Sequence, residues 1–336
     1  MPAIIYHRAL MTRVFSGIQP TGTKHLGNYI GAIRHYVADQ DLGEAFYCIV
    51  DLHSISVPYE PAELAENTFD MAATLLAAGL DPSRCTLFVQ SRVEAHTYGA
   101  WLLGAIATIG ELGRMTQFKE KSEGRDSVSV DLFTYPVLQA ADILLYKADR
   151  VPVGDDQRQH LELARNIAQR FNHRFGELFP LPEASIPSSG GRVMDLQQPA
   201  NKMSTTRGTP QGTVLLVDPP DVVARKIRSA VTDSGREVRR GEGKEGIANL
   251  IELLSIASGR SEQEIEADYD GAGYGQFKGD VAEAVVEMLR PVRERYLSLR
   301  ADEAAMRSIL DAGAERARSV ANETLSEMRR RMGFGG

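Results

Sequence analysis

The sequence predicts an α/β chain built on a doubly wound parallel sheet, joined to a smaller all-helical domain. Two observations carry this expectation. Over roughly the first 190 residues, short apolar runs of strand length alternate with segments whose apolar residues recur at helical spacing. Past Val217 the strand-like runs stop, and a helical pattern continues to the end, interrupted by Gly-rich stretches at 241–246 and 271–275. These changes divide the chain into an N-terminal extension over 1–12, a domain over 13–217 and a helical domain over 218–336. The last helices are expected to pack back on the sheet.

The elements follow in order. Residues 13–16 form the first strand candidate, and 17–22 (GIQPTG) the turn after it. Leu26, Ile30, Ile33 and Val37 then recur at helical spacing. The run 46–50 (FYCIV) is continuously apolar, as a parallel strand covered on both faces requires. A helix begins at Pro61 and stops at Gly79, where the glycine ends it. Residues 86–89 (TLFV) form the next strand and 101–109 the next helix. A further helix follows Tyr135, then a strand at 151–153, then a helix carrying Leu161, Ala164, Ile167, Ala168 and Phe171.

Composition narrows the class. The chain has 336 residues, 43% hydrophobic and 25% charged, with a net charge of −7. That length fits about two domains, and that apolar content excludes wholesale disorder. Cys48 and Cys85 are the only cysteines, so neither a C-x-x-C zinc pair nor a disulfide framework is available. This usage fits a reducing, cytoplasmic setting. No apolar run approaches about 18 residues, so no membrane-spanning helix is expected. The first ten residues hold too short an apolar stretch for a secretory signal, and Met11 is an alternative start. The acidic balance argues against coating nucleic acid by bulk charge but leaves local basic patches open. Of the 38 basic residues only 8 are lysines, so each lysine marks a place where a compact ammonium is wanted.

Two segments stand out as phosphate sites. The first, 15–28, runs from a strand through a Gly-rich turn to His25-Leu-Gly-Asn28, where Gly17, Gly22 and Gly27 permit close backbone approach. It is not a P-loop, since G-x-x-x-x-G-K-[ST] is absent. Alone it reads equally well as an ordinary strand–turn–helix connection. The second, 201–208 (NKMSTTRG), is polar and reads alone as a linker. In the helix after Tyr135, the spacing of Tyr135, Gln139, Asp142 and Tyr146 puts four polar groups on one face of an otherwise apolar segment. A carboxylate there needs a donor. A ligand N–H is one candidate, and an Arg partner or a capped neighbour is the other.

Together, His25-Leu-Gly-Asn28 and Lys202-Met-Ser-Thr-Thr206 resemble the paired HIGH and KMSKS signatures of class I aminoacyl-tRNA synthetases. The strings FSGIQPTG, FYCIVDLH, RMTQFKEKS, TYPVLQAADILLY and VPVGDDQRQHLELAR are similar to those of bacterial tryptophanyl-tRNA synthetases. The resemblance runs from Arg13 to about Gly333 and implies a Rossmann-like catalytic domain, with 201–208 as its signature loop. It implies activation of L-tryptophan by ATP with Mg²⁺, transfer to tRNA(Trp), a homodimer, and an anticodon-side role for 218–336.

The same resemblance assigns residues. Asp142 would accept the indole N–H, with Tyr135 and Gln157 at the substrate ammonium and Phe15, His53 and Val153 walling the indole. His53 also reads as a satisfied histidine at a strand end. His25, Asn28, Lys121 and Lys202 would act on the phosphates. Gln19, Gly27, Gly154, Asp156, Val193, Met203 and Ser204 would join Asn28 and Lys202 in holding ATP, with no metal ligand from the protein. For Asp156 the bland reading is a carboxylate complementing a helix N-terminus. One position departs: Thr205 stands where KMSKS has its second lysine. Lys121 and Arg207 are expected to compensate. Asn28 in place of the final histidine keeps a donor. A tyrosyl-specific relative, a nucleotidyltransferase of the same superfamily, and a tryptophan-binding regulatory protein that does not charge tRNA are the alternative readings.

Overall fold

The computed structural model describes residues 12–124, 127–185, 192–205 and 207–335. Apart from Thr12, the expected N-terminal extension lies outside the described residues, as do Met11 and Thr206 of the signature loop.

Five strands, β1 (Arg13–Ile18), β2 (Glu44–Ile49), β3 (Cys85–Val89), β4 (Arg150–Pro152) and β5 (Glu183–Ser185), form one parallel sheet in the order β3-β2-β1-β4-β5. The register pairs Phe15 with Phe46 and Val14 with Arg150. Successive side chains alternate faces. Val14, Ala45, Tyr47, Leu87 and Val89 therefore enter one core cluster, and Phe15, Phe46, Cys48, Phe88 and Val151 enter the other. Both faces are covered, which explains the uninterrupted apolar runs of β2 and β3.

The helices are α1 (Leu26–Asn28), α2 (Arg34–Asp39), α3 (Pro61–Ala78), α4 (Ala95–Gly104), α5 (Ile109–Leu112), α6 (Thr116–Ser122), α7 (Val130–Leu144), α8 (Arg158–Phe175), α9 (Pro220–Arg228), α10 (Glu245–Ser258), α11 (Glu262–Asp268), α12 (Tyr274–Ala301) and α13 (Glu303–Arg331). The first cluster continues from the sheet through Val193 and Val214 into Val223, Ile247, Leu250, Phe277 and Val281, so α9, α10 and α12 share its core. Helix α13 lies on the opposite face with Ala314, Ala317 and Ala321 turned inward. It crosses β3 at Gly313, where a Cβ would stand 1.9 Å from the Leu87 carbonyl oxygen, so only glycine permits that approach.

Several elements differ from expectation. The helix expected from Leu26 to Val37 is interrupted by a π-helical turn over Tyr29–Ile33, a feature frequent near functional sites. The helix expected over 101–109 is instead α4, ending at Gly104, and α5, capped by the Thr108 side chain accepting from Glu111 N–H. Trp101 and Ile109 misled because both are apolar yet 80% exposed. Helix α7 begins at Val130, ahead of Tyr135, and carries Pro136 in its interior at the loss of one backbone hydrogen bond. Asp156 and Gln157 lie in a 3₁₀ turn, Asp155–Gln157, preceding α8. Strand β5 had no sequence signal, being a three-residue, largely exposed edge strand of composition EAS.

Candidate active site

In an open parallel sheet, ligands bind beyond the carboxyl ends of the strands where the chain reverses its winding direction. The order β3-β2-β1-β4-β5 puts that point between β1 and β4. A cavity of about 250 Å³ opens there, lined by Phe15 and Gly17 of β1, by Gln19 just after it, and by Val151, Val153 and Gln157 around β4. His53 from the 3₁₀ turn after β2, Lys121 from α6, and Tyr135, Gln139 and Asp142 from α7 complete it. Ser16 Oγ donates to the Pro152 carbonyl at 3.2 Å and ties the two strand ends together.

Asp142 is buried at 1% exposure. Its Oδ2 meets His53 Nε2 at 2.8 Å, while Oδ1 meets His96 Nδ1 at 2.6 Å and accepts from Gln90 Nε2 at 2.7 Å. Burial alone would push the carboxyl up. The hydrogen bonds from His53 and His96 outweigh burial and hold it well below the usual carboxylate range. The expected alternative of an Arg partner is thus replaced by two histidines and an amide. His96 and Gln90 had no sequence signal, because they come from the first turn of α4 and the turn after β3, roughly 50 residues from Asp142. Tyr146 lies just past the end of α7, with its hydroxyl on His96 Nε2 at 2.9 Å.

Elsewhere along the cavity wall, Tyr135 Oη donates to Gln117 Oε1 at 3.1 Å and meets His160 Nε2 at 2.7 Å. Burial raises the Tyr135 hydroxyl to about 12. Gln139 Nε2 donates to Gln157 Oε1 at 3.4 Å, and Gln157 Nε2 donates to Asp156 Oδ2 at 2.8 Å. Asp156 in turn fills the space over Gly154, where a Cβ would lie 2.6 Å from Oδ1. Lys121 Nζ stands 5.7 Å over the Tyr135 ring.

The two signature segments meet through backbone pairing. Leu26 N–H donates to Val214 C=O at 2.8 Å and Leu216 N–H to Lys24 C=O at 3.0 Å, so the strip after the Lys202 loop runs beside His25. Met203 N–H donates to Val193 C=O at 3.1 Å, and the Val193 side chain lies against Gly27. Buried Asp195, which the sequence did not single out, accepts from the N–H groups of Gln197, Gln198 and Thr209 and braces the loop from beneath. Thr213 Oγ1 donates to the Ser204 carbonyl at 3.0 Å. Lys202 and Thr205 are exposed, whereas the Met203 side chain is buried in the core. His25 N–H donates to Asn28 Oδ1 at 3.1 Å, which leaves the Asn28 amide NH₂ as the outward donor.

The His25 Nδ1 atom is buried without a hydrogen-bond partner. Burial lowers His25 to about 4, assisted by the charges of Lys24 and Lys202. Burial likewise lowers His160 to about 4, against the opposing pull of Asp156. Both rings are therefore neutral in the folded protein at neutral pH. The unfolded chain protonates them near 6.5, so it binds more protons than the native state between pH 6.5 and 4. Stability falls as pH drops through that window, by at most about 3 kcal/mol for each ring. Thermal melts should show Tm declining from pH 6.5 to 4, less steeply in His160→Asn. A flat Tm over that range would contradict the burial argument.

Comparison with known proteins meets this geometry. The family model described as tRNA synthetases class I (W and Y) matches residues 9–290. The chain belongs to this family. The synthetase is 52% identical over 325 residues to the tryptophan–tRNA ligase of Caldanaerobacter subterraneus subsp. tengcongensis, covering 96% of this chain and 99% of that one. Against the tryptophan–tRNA ligase of Bacillus subtilis it is 49% identical over 323 residues, covering 96% and 98%. In structure it is similar to tryptophanyl-tRNA synthetase from Campylobacter jejuni complexed with ADP and tryptophan. The TM-score is 0.85 at 34% identity, over 96% of this chain and all of that one. The sheet order and the crevice position of the cavity are those of a Rossmann-like synthetase core.

Proposed function

We propose that the chain is a tryptophan–tRNA ligase. It joins the carboxylate of L-tryptophan to the α-phosphate of ATP, releases pyrophosphate, and passes tryptophan from the adenylate to the terminal ribose of tRNA(Trp). The observation that carries this reading is the Asp142 carboxylate. An ionised carboxylate offers about four acceptor sites. His53, His96 and Gln90 take three of them, and Asp142 also lines the cavity. The fourth site suits an indole N–H. Phe15 and Val153 wall the ring, His53 closes one edge, and Tyr135 and Gln157 take the ammonium.

The substrate carboxylate is itself the nucleophile, so the protein's task is positioning and stabilisation of phosphoryl charge. The orphaned His25 Nδ1 and the Asn28 amide fit an anionic ligand, since both are polar atoms left over by the local fold. Neutral His25 and Asn28 hold the α-phosphate, and Lys202 and Lys121 the departing pyrophosphate. Gln19, Gly27, Gly154, Asp156, Val193, Met203 and Ser204 shape the nucleotide site. Val193 and Met203 act through their backbone pairing, because both side chains are buried. Mg²⁺ comes with the triphosphate and supplies charge neutralisation there.

Tryptophan-dependent ATP–pyrophosphate exchange followed by charging of tRNA(Trp) tests the assignment. Exchange driven by tyrosine instead would favour the tyrosyl reading, and exchange without charging the regulatory one. Thr205 is exposed and adds no charge to the loop. A Thr205→Lys variant is expected to activate tryptophan at least as fast as the parent, and a clear slowing in the exchange assay would refute compensation by Lys121 and Arg207.

The expected homodimer has a candidate face. Trp101, Ile109 and Val130 are 80%, 80% and 77% exposed and rim an apolar groove that shares Ser56 and Tyr135 with the tryptophan cavity. A second copy covers this face, and Trp101→Glu should sediment as a monomer. The tRNA contacts are placed on the α9–α12 side, where Arg225, Arg228 and Arg236 are exposed. Within the clusters expected at 236–240 and 329–331, several of the other arginines are already engaged. Arg239 pairs with Glu237, Arg240 with Glu262 and Glu266, and Arg330 and Arg331 with Glu327. Among the described residues no helix is long and apolar enough to cross a membrane. We place the enzyme in the cytoplasm, with its tRNA.

A further inference from the structure

We infer that Tyr146 and His96 form a positioning relay, in which the Tyr146 hydroxyl fixes the tautomer of His96 that donates Nδ1–H to Asp142 and so holds that carboxylate as an ionised acceptor. The inference rests on the reading that Asp142 accepts the substrate's indole N–H.

Gln90, His96 and Tyr146 are each 0% exposed, and Asp142 is 1% exposed. An ionised carboxylate only accepts hydrogen bonds. The His96 Nδ1 atom, 2.6 Å from Asp142 Oδ1, therefore carries a proton. On the far side of the ring, Nε2 lies 2.9 Å from Tyr146 Oη. Burial pushes the Tyr146 hydroxyl far up, so it keeps its own proton. Among the described residues that hydroxyl meets only His96 Nε2, so its proton has one acceptor to go to. Tyr146 donates, Nε2 accepts, and His96 is a neutral imidazole with its proton on Nδ1. In the opposite tautomer the Nδ1 lone pair would face Oδ1 at 2.6 Å, and two acceptors would oppose each other in the dry interior.

The relay is anchored by the sheet. The Tyr146 ring stacks on Phe15 at 5.3 Å, and its centroid lies 4.7 Å from Phe46 and 5.6 Å from Phe88, one aromatic from each of β1, β2 and β3. The backbone is held as well, since Arg13 Nη1 donates to the Tyr146 carbonyl at 3.1 Å. Three aromatics on the underside of the sheet thus set the direction of a hydroxyl, the hydroxyl sets a proton on His96, and that proton aims Asp142. His96 and Tyr146 do not line the cavity, so they are positioning residues rather than substrate contacts.

The test uses the full-length enzyme and two readouts. Nitrogen-15 NMR of the histidine rings should show His96 as the neutral Nδ1–H tautomer, and Tyr146→Phe should convert it to a mixture. In pyrophosphate exchange, Tyr146→Phe should raise the tryptophan KM about ten- to hundredfold, with the ATP KM unchanged. It should also reduce the preference for tryptophan over its benzothiophene analogue, in which sulfur replaces the ring N–H. His96→Asn, whose amide nitrogen can replace Nδ1, should keep more of that preference than His96→Leu. Either a Tyr146→Phe enzyme with unchanged tautomer and tryptophan KM, or His96→Asn as impaired as His96→Leu, overturns the relay. Asp142→Asn separates the two levels. If it leaves the preference for tryptophan over the analogue intact, the reading of Asp142 fails; if it removes the preference while Tyr146→Phe does not, the relay alone fails.

Discussion

Replacing Asp142 by Asn should collapse discrimination between tryptophan and phenylalanine while sparing ATP affinity. A site built to hydrogen-bond its substrate rejects an analogue lacking the group by about 10⁴–10⁵, because the buried partner is otherwise left unpaired. In the Asp142→Asn enzyme the three donors of His53, His96 and Gln90 converge on an amide that itself donates from one end. The amide must then turn its oxygen to one side and leave a donor opposed on the other. What remains is an apolar slot between Phe15 and Val153, and shape alone discriminates by only about 10–200-fold. The measurement is kcat/KM for exchange with each amino acid, alongside the KM for ATP. An Asp142→Asn enzyme that still prefers tryptophan by more than about 10³ over phenylalanine would exceed what such a pocket supplies and would sink the assignment.

Lys202→Ala should act on the other half of the reaction. Lys202 is exposed and close enough to His25 to lower its pKa, yet it does not line the cavity that holds Asp142. Removing one preorganised charge from a phosphoryl-transfer site typically costs about 10²–10³ in turnover. The expected result is a fall of that size in the exchange kcat, with the tryptophan Kd from equilibrium dialysis unchanged. Unchanged turnover would mean that Lys121 or Arg207 already carries the leaving-group charge. With Thr205 at the second lysine position, this loop starts with one charge fewer, so the loss of Lys202 should be felt in full.

The lysine bias shows how far sequence reasoning reached. Lys202 is exposed on its loop and Lys121 lines the cavity. Lys24 lies in the same motif as His25 but is spent on the turn, with Nζ donating to the carbonyls of Gln19 at 3.2 Å and Thr21 at 3.0 Å. Lys226, far from any motif, is buried between the Thr213 carbonyl and Asp218 at 2.7 Å each and steadies the strip that pairs with His25. A motif shows that a charge is wanted nearby; whether it faces ligand or backbone depends on a rotamer that local sequence does not encode.

Four strands and the crossover helices were legible because burial on both faces writes itself as apolar runs and helical periodicity. Phe15, Gln19, His53, Tyr135, Asp142 and Gln157 were legible through their motifs, and all line one cavity. Sequence by itself determined the fold class and the family. Tertiary structure decided who holds Asp142. Tyr146 shares a helical face with Asp142, but Gln90 and His96 come from a segment roughly 50 residues upstream and carry no local pattern. They become a network only when the packing of α4 against α7 excludes water and leaves each polar group no partner but another.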